Sequence, residues 1–185
     1  MGDHKAQGKL VQEWYKRIYN FGYKFLLDHD LTMEVVQKTF IAMHKNISFL
    51  ENTGKFKSWI YSIATNYCRE EWRKRKTSLK VSISELNGTS SLQGWEATTK
   101  TNENPASKFN QKELVEILQS CLAELSIEQR EVIIMKEYEG LKFREIAEAL
   151  QIPESTAKTR MYYGLEALKL ILAKRNINTE TINYE

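Results

Sequence analysis

Apolar residues return every three or four positions through most of this chain, the spacing of a helix with one buried face. Leu10, Trp14, Ile18, Phe21 and Phe25 carry one such stripe, and Val35, Val36, Thr39, Phe40 and Met43 carry a second. Phe56, Trp59, Ile60, Ile63, Ala64 and Tyr67 make a third; Leu114, Ile117, Leu118, Cys121, Leu122 and Leu125 make a fourth. Ser126 and Gln129 then form a capping-box signature ahead of REVIIMKEY. No segment alternates with the two-residue period of a strand. Between 77 and 106 the periodicity fades into a stretch rich in Ser, Thr and Asn. The pattern predicts an all-α protein of two small helical domains, 1–76 and 107–173, with a flexible, largely irregular linker at 77–106 and a tail at 174–185. Leu79, Val81, Ile83 and Leu86 make the linker more apolar than a bare spacer, so a tether and a docking segment both stay open.

Residues 141–172, LKFREIAEALQIPESTAKTRMYYGLEALKLIL, hold two helical patterns around a short turn at 151–154, the layout of a helix-turn-helix. Ala147 lets the helices approach, Ile146, Leu150 and Ile152 fill the space beneath, and Pro153 ends the first. Ser155 or Thr156 can cap the second. On that second helix Ala157, Met161, Gly164, Leu165, Leu168 and Leu172 fall inward, while Thr156, Thr159, Arg160 and Tyr163 fall outward near its start, flanked by Lys158 and Tyr162. A recognition helix reads bases from that end. Arg160 suits guanine and Lys158 a phosphate. A plain helical hairpin with a polar face is the competing interpretation.

Charge sharpens the picture. The chain has a net charge of +3. Residues 1–76 carry 14 Lys/Arg against 8 Asp/Glu, a net +6, whereas 77–106 carry −1 and 107–185 carry −2. A polyanionic partner for the first domain fits that bias. In 54–76, GKFKSWIYSIATNYCREEWRKRK, Ser62, Asn66, Arg69 and Arg73 line a second stripe away from the apolar one. Tyr61, Thr65 and Trp72 lie beside it, on the side away from the core. Cations and rings in alternation suit unpaired nucleic acid. A solvated helix whose RKRK end complements its own dipole explains the same residues. The preceding loop, NISFLENTGKF, can present a small pocket.

Cys68 and Cys121 are 53 positions apart without a paired motif, so both are expected as free thiols, and zinc is not expected. No apolar stretch nears the ~20 residues of a membrane span and no leader opens the chain, which predicts a cytoplasmic protein. His4, His29 and His44 are scattered, and no phosphate loop or catalytic triad is visible, so neither an enzyme nor a cofactor is expected.

Together these stretches resemble the bacterial RNA polymerase sigma factors of the extracytoplasmic-function (ECF) group. EVVQKTF (34–40) is similar to the polymerase-binding helix D-L-V-Q-E-T-F. FKSWIYSIATNYCREEWRKRK (56–76) is similar to F-x-x-W-L-x-x-I-A-x-N-x-x-x-D-x-x-R through Phe56, Trp59, Ile63, Ala64, Asn66 and Arg73, with Glu70 where Asp is usual. Residues 125–160 resemble the family's final domain, including Leu125, Gln129, Arg130, Gly140, Leu141, Glu145, Ile146, Ala147, Thr156, Lys158 and Arg160. The resemblance spans roughly 8–76 and 107–173. It implies that Glu34, Val35, Gln37, Lys38, Phe40 and Met43 dock on core polymerase, whose clamp and flap regions the family contacts. It implies that the loop 48–57 and Lys57, Tyr61, Ser62, Asn66, Arg69 and Arg73 hold the non-template single strand of the −10 element. Ser155, Thr156, Lys158, Thr159, Arg160 and Tyr163 would enter the −35 major groove as duplex. The linker would thread the core enzyme, and an anti-sigma factor that can hold the protein at the membrane is a further implied partner.

Four positions depart from the family. Lys38 replaces an acid, Gln151 sits where Gly is common, and Tyr163 and Leu165 replace frequent arginines. The alternative function is a stand-alone helix-turn-helix regulator, in which EVVQKTF has no purpose.

Overall fold

The computed structural model of the chain describes the backbone of residues 4–85 and 111–177. The tail beyond 177 and linker residues 86–106 lie outside the described residues. All regular structure among the described residues is helical: α1 (His4–Leu26), α2 (His29–Asn46), α3 (Phe56–Glu85), α4 (Gln111–Glu124), α5 (Ile127–Ile133), α6 (Phe143–Leu150) and α7 (Glu154–Lys174). A single π turn, Ile134–Tyr138, continues α5, and two 3-10 turns, Ile47–Phe49 and Thr53–Lys55, fill the loop before α3.

Local chemistry sets most boundaries. Asp28 caps α2 by accepting a bond from the Leu31 amide at 3.0 Å, and Ser126 caps α5 by accepting from the Gln129 amide at 3.3 Å. The Glu145 carboxylate reaches back to the Lys142 amide at the start of α6, at 2.7 Å. The cap expected from Ser155 or Thr156 is corrected: α7 starts one residue earlier, with Pro153 at the N-cap and no side-chain cap bond. Proline's ring fixes φ at −59°, and Glu154 puts a carboxylate in the first turn, where the helix dipole favours it. Gln151, at φ 55°, occupies the left-handed turn where glycine would cost less. The irregular linker is also corrected at its start, because α3 continues through Glu85. Residues 77–85, TSLKVSISE, contain neither Gly nor Pro, so nothing there stops the helix.

The helices form two groups, α1–α3 and α4–α7, and the groups pack on each other. One face of α3 meets α1 and α2, and another meets α6; the C-terminal half of α1 touches α4 and the π turn. The apolar core is continuous across the seam, running from Ile18, Phe21 and Phe25 to Leu122, Ile134 and Leu141. This second contact explains a further correction. Tyr61 and Thr65, placed on the outer side by helical periodicity, are buried. The Tyr61 ring sits edge-on to Phe21 (5.4 Å) and Trp14 (6.1 Å), and α6 closes over the other side.

In the second group α5 and α7 cross closely at Gly164. A Cβ there would lie 2.9 Å from Ile133 Cδ1 and 3.2 Å from Gln129 Cβ. Leu165, expected inward, is instead among the exposed apolar residues, because Ala157, Met161 and Gly164 already form the contact line on α5. Gly164→Leu should therefore lower the unfolding free energy by ~1–3 kcal/mol through overpacking. Gly164→Ala should be near neutral, since about 1 kcal/mol of helix propensity offsets its tight contacts. Urea titration of the full chain measures both. Equal stability of wild type and the leucine variant would contradict the close crossing.

Candidate nucleic-acid interface

Helix α3 carries the richest set of expected contacts, and half of them, Lys57, Tyr61 and Arg69, are engaged by the second helical group. Arg69 makes a two-pronged bond to Glu131 of α5, Nε to Oε2 at 2.9 Å and Nη2 to Oε1 at 2.6 Å. Tyr61 donates its hydroxyl to Glu139 at 2.6 Å. Lys57 reaches the Gly140 carbonyl at 3.4 Å and stands 4.0 Å from Glu145. Ser58 donates to Glu148 at 3.2 Å, with Lys55 3.8 Å from the same carboxylate. Ser62 bonds back to the Trp59 carbonyl. Asn66 and Arg73 remain on the surface, where the Arg73 Nε bonds to the Arg69 carbonyl within α3. So Ser62, Asn66, Arg69 and Arg73 do share one side of α3, as their spacing predicts. Tyr61 does not join them: its ring belongs to the core, and only its hydroxyl end reaches the seam.

On α7 the outward set is present. Ser155, Lys158, Thr159 and Tyr163 are exposed and Thr156 is half-buried. Lys158 pairs with Glu154 at 2.7 Å, and the Thr159 hydroxyl bonds to the Ser155 carbonyl. Arg160 is turned toward the seam, its Nη1 3.3 Å from Glu131 Oε1. Periodicity could not show that partner, because it lies 29 positions away in the chain.

The α2 set divides. Glu34 and Gln37 are exposed and Phe40 is half-buried, and with Val11, Tyr15, Asp30, Met33 and Val36 they line an open apolar groove between α1 and α2. Val35 and Met43 are core residues without a surface to offer, which corrects the expectation that they dock on the polymerase. Lys38, the departure from the family acid, has a structural partner. It bonds Glu71 of α3 at 2.8 Å and Glu34 at 2.6 Å. Hydrogen bonds to Glu34 and Glu71 raise its pKa. Burial pushes the Glu71 carboxyl up, but hydrogen bonds from Lys38 and Lys74 outweigh it and hold the group below its ordinary value.

Three residues escaped the periodic reading. Phe49 projects a 78% exposed ring from the loop before α3. Glu131 is fully buried, its pKa raised by burial and drawn back by Arg69 and Arg160. Arg130 beside it is also buried, donating to the carbonyls of Phe25 (2.9 Å), Ala123 and Leu125 (3.3 Å), with its guanidinium 4.8 Å from the Trp72 ring centre. Burial lowers its pKa to about 10, so it stays charged near neutrality. A charged pair inside an apolar run, VIIM following Arg130 and Glu131, was the available signal.

The helix-turn-helix and the basic helical unit before it match two known modules in order. Residues 10–77 match the family model for sigma-70 region 2, and residues 115–168 match that for sigma-70, region 4. This is the architecture of the promoter-recognition subunits of bacterial RNA polymerase. The ECF RNA polymerase sigma factor SigW of Bacillus subtilis is 31% identical over 91% of this chain and 89% of its own. SigE of Mycolicibacterium smegmatis, also an ECF sigma factor, is 24% identical over 96% of this chain and 67% of its own. The sigma factor RpoE of Bartonella quintana, solved with the anti-sigma factor NepR, superposes with a TM-score of 0.67 at 20% identity, over 91% of this chain and 98% of that one. The chain belongs to the ECF group of sigma factors; it binds core RNA polymerase and directs transcription initiation at promoters.

The Lys38 pairing gives a test. Because Glu71 titrates below its ordinary value of 4.5, the pair's stabilisation is present above that pH and is lost as pH falls through the lowered folded value. Lys38→Met should cost ~1–3 kcal/mol at neutral pH by leaving Glu71 one partner short. The difference from wild type should shrink in acid below pH 4.5. A difference that is constant with pH in chemical unfolding would show that the pair does not matter.

Proposed function

We propose that the ECF activity is divided along the chain as follows. The first unit, 1–76, docks on the polymerase clamp through Glu34, Gln37, Lys38 and Phe40 and the groove beside them. Its loop at 48–57, with Phe49, holds unpaired −10 bases together with Lys57, Ser62, Asn66, Arg69 and Arg73. The second unit, 107–173, reads the −35 duplex through Ser155, Thr156, Lys158, Thr159, Arg160 and Tyr163, and also contacts the flap. Residues 77–106 connect the two through the core enzyme. The protein works in the cytoplasm as an initiation factor that hydrolyses nothing, with an anti-sigma factor as its regulator. Among the described residues no helix is long and apolar enough to cross a membrane.

The observation that carries this reading is α7. It is held on α5 by Ala157, Met161 and Gly164, and it leaves Ser155, Lys158, Thr159, Tyr162 and Tyr163 exposed along one N-terminal face. A rigidly seated helix with a polar, aromatic N-terminal face fits a major groove. Phosphate-directed residues such as Lys158 would set register, and Arg160 would read a base.

Run-off transcription with core polymerase on the chain's own upstream region tests the division. Arg160→Ala should remove ~1–3 kcal/mol of discrimination at one −35 position, read as a loss of preference of roughly fivefold to 150-fold. Asn66→Ala with Arg73→Ala should impair linear templates and spare a pre-opened bubble. Gln37→Ala with Phe40→Ala should abolish transcripts from both. No specific transcript with the wild-type chain, alongside tight duplex binding by the chain alone, would favour the stand-alone regulator instead.

A further inference from the structure

The exposed face of α7 is poor in the side chains that read purines. At an advance of about 100° per residue, Ser155, Lys158, Thr159, Tyr162 and Tyr163 share one arc. That arc lies opposite the line Ala157, Met161 and Gly164 that packs on α5. Bidentate readout of guanine takes Arg or Lys, and of adenine Asn or Gln. The stretch 155–163, STAKTRMYY, holds neither Asn nor Gln. Its arginine, Arg160, lies beyond the edge of the arc and is turned to Glu131 at 3.3 Å. Its lysine, Lys158, is paired with Glu154 at 2.7 Å. The rest of the arc is mostly carbon. Tyr162 and Tyr163 are 63% and 59% exposed, and their rings meet edge to face with centroids 5.4 Å apart. Thr159, one turn before Tyr163, spends its hydroxyl donor on the Ser155 carbonyl at 2.9 Å, which leaves its methyl for contact.

We propose that Thr159 and Tyr163 read the 5-methyl groups of thymines in the −35 major groove, so that A·T pairs there carry part of the promoter specificity. The inference rests on the reading above that α7 enters the −35 duplex. The thymine methyl is the apolar group that base pairs present in the major groove, and a threonine methyl or an aromatic ring is a matching contact. Residues four apart on a helix are neighbours, so the Thr159 methyl and the Tyr163 ring stand side by side and can cover adjacent thymines. The Tyr162 ring, edge-on to Tyr163, narrows the rotamers open to it and so lowers the cost of ordering the ring on binding. Charge points the same way. Residues 107–185 carry a net −2, so the pull on phosphate that is blind to sequence is weak, and base contacts contribute a larger share.

Deoxyuridine in place of thymidine removes that methyl and nothing else, which gives the test. Run-off transcription with limiting holoenzyme compares four templates of the chain's own upstream region: native, deoxyuridine throughout the −35 segment, deoxyuridine in the spacer only, and a scrambled −35 segment. Wild type should lose roughly fourfold for each contacted methyl on the second template and nothing on the third. Tyr163→Phe, which keeps the ring, should show the same loss. Thr159→Ser combined with Tyr163→Ala should transcribe the native and −35 deoxyuridine templates equally, at a lower level. Both positions are exposed, so these variants leave the core intact. Equal transcription of those two templates by wild type, with the scrambled one silent, would overturn the methyl readout and leave the −35 role of α7 standing. An equal loss from spacer deoxyuridine would overturn it as an effect of DNA stiffness, and a loss that persists in the double variant would overturn the two residues as its readers. If wild type transcribes the scrambled template as well as the native one, the −35 role itself fails and the readout falls with it.

Discussion

The structure depends on a seam whose centre is two neighbouring side chains of opposite charge, Arg130 and Glu131, both fully buried. Each spends its bonds across or along the junction of the two helical units. Arg130 satisfies three backbone carbonyls, one of them Phe25 at the end of α1, and stacks near Trp72 of α3. Glu131 takes Arg69 from one unit and Arg160 from its own. Hydrogen bonds to charged groups contribute about 1.5–3 kcal/mol each net, and a buried ion left unpaired is costly. These two residues therefore fix which surfaces of the units meet, while the apolar contacts around Phe21, Phe25 and Leu122 supply the bulk of the burial.

That seam also accounts for the uneven charge along the chain. The first unit is basic and the second slightly acidic, a combination that looks poor for a protein with two DNA-reading surfaces. Glu139, Glu145 and Glu148 resolve it, because they face the basic side of α3, and Glu131 is shared between Arg69 of α3 and Arg160 of α7. The recognition face keeps Lys158 and two exposed tyrosines, Tyr162 and Tyr163. Under the proposed division of roles, the α3 residues that pair with the second unit are the ones that would hold promoter DNA.

Much of this was legible from residue spacing. The all-α architecture, the stripes of α1, α2 and α3, the Ser126 cap and the inward line of Ala157, Met161 and Gly164 follow from a 3.6-residue period and cap chemistry. The differences have separate physical causes. A period describes one buried face per helix, and α3 has two, so Tyr61 and Thr65 were assigned to the outside. Val35 and Met43 fell within a motif whose neighbours are exposed, and only packing separates core from contact. Lys38 and Arg160 have partners 33 and 29 positions away, which no local pattern carries. Helix α3 overran the composition boundary because polar residues without Gly or Pro still propagate a helix.

If α3 holds promoter DNA as proposed, its packing against the second unit and its engagement of DNA exclude each other. The most direct measurement is a pulsed electron-spin distance between nitroxides at exposed positions 16 and 170, on α1 and α7, with the chain free and then bound to core polymerase and promoter DNA. One short distance in the free chain, replaced by a longer one in the complex, is the predicted result. The same short distance in both states would contradict the claim.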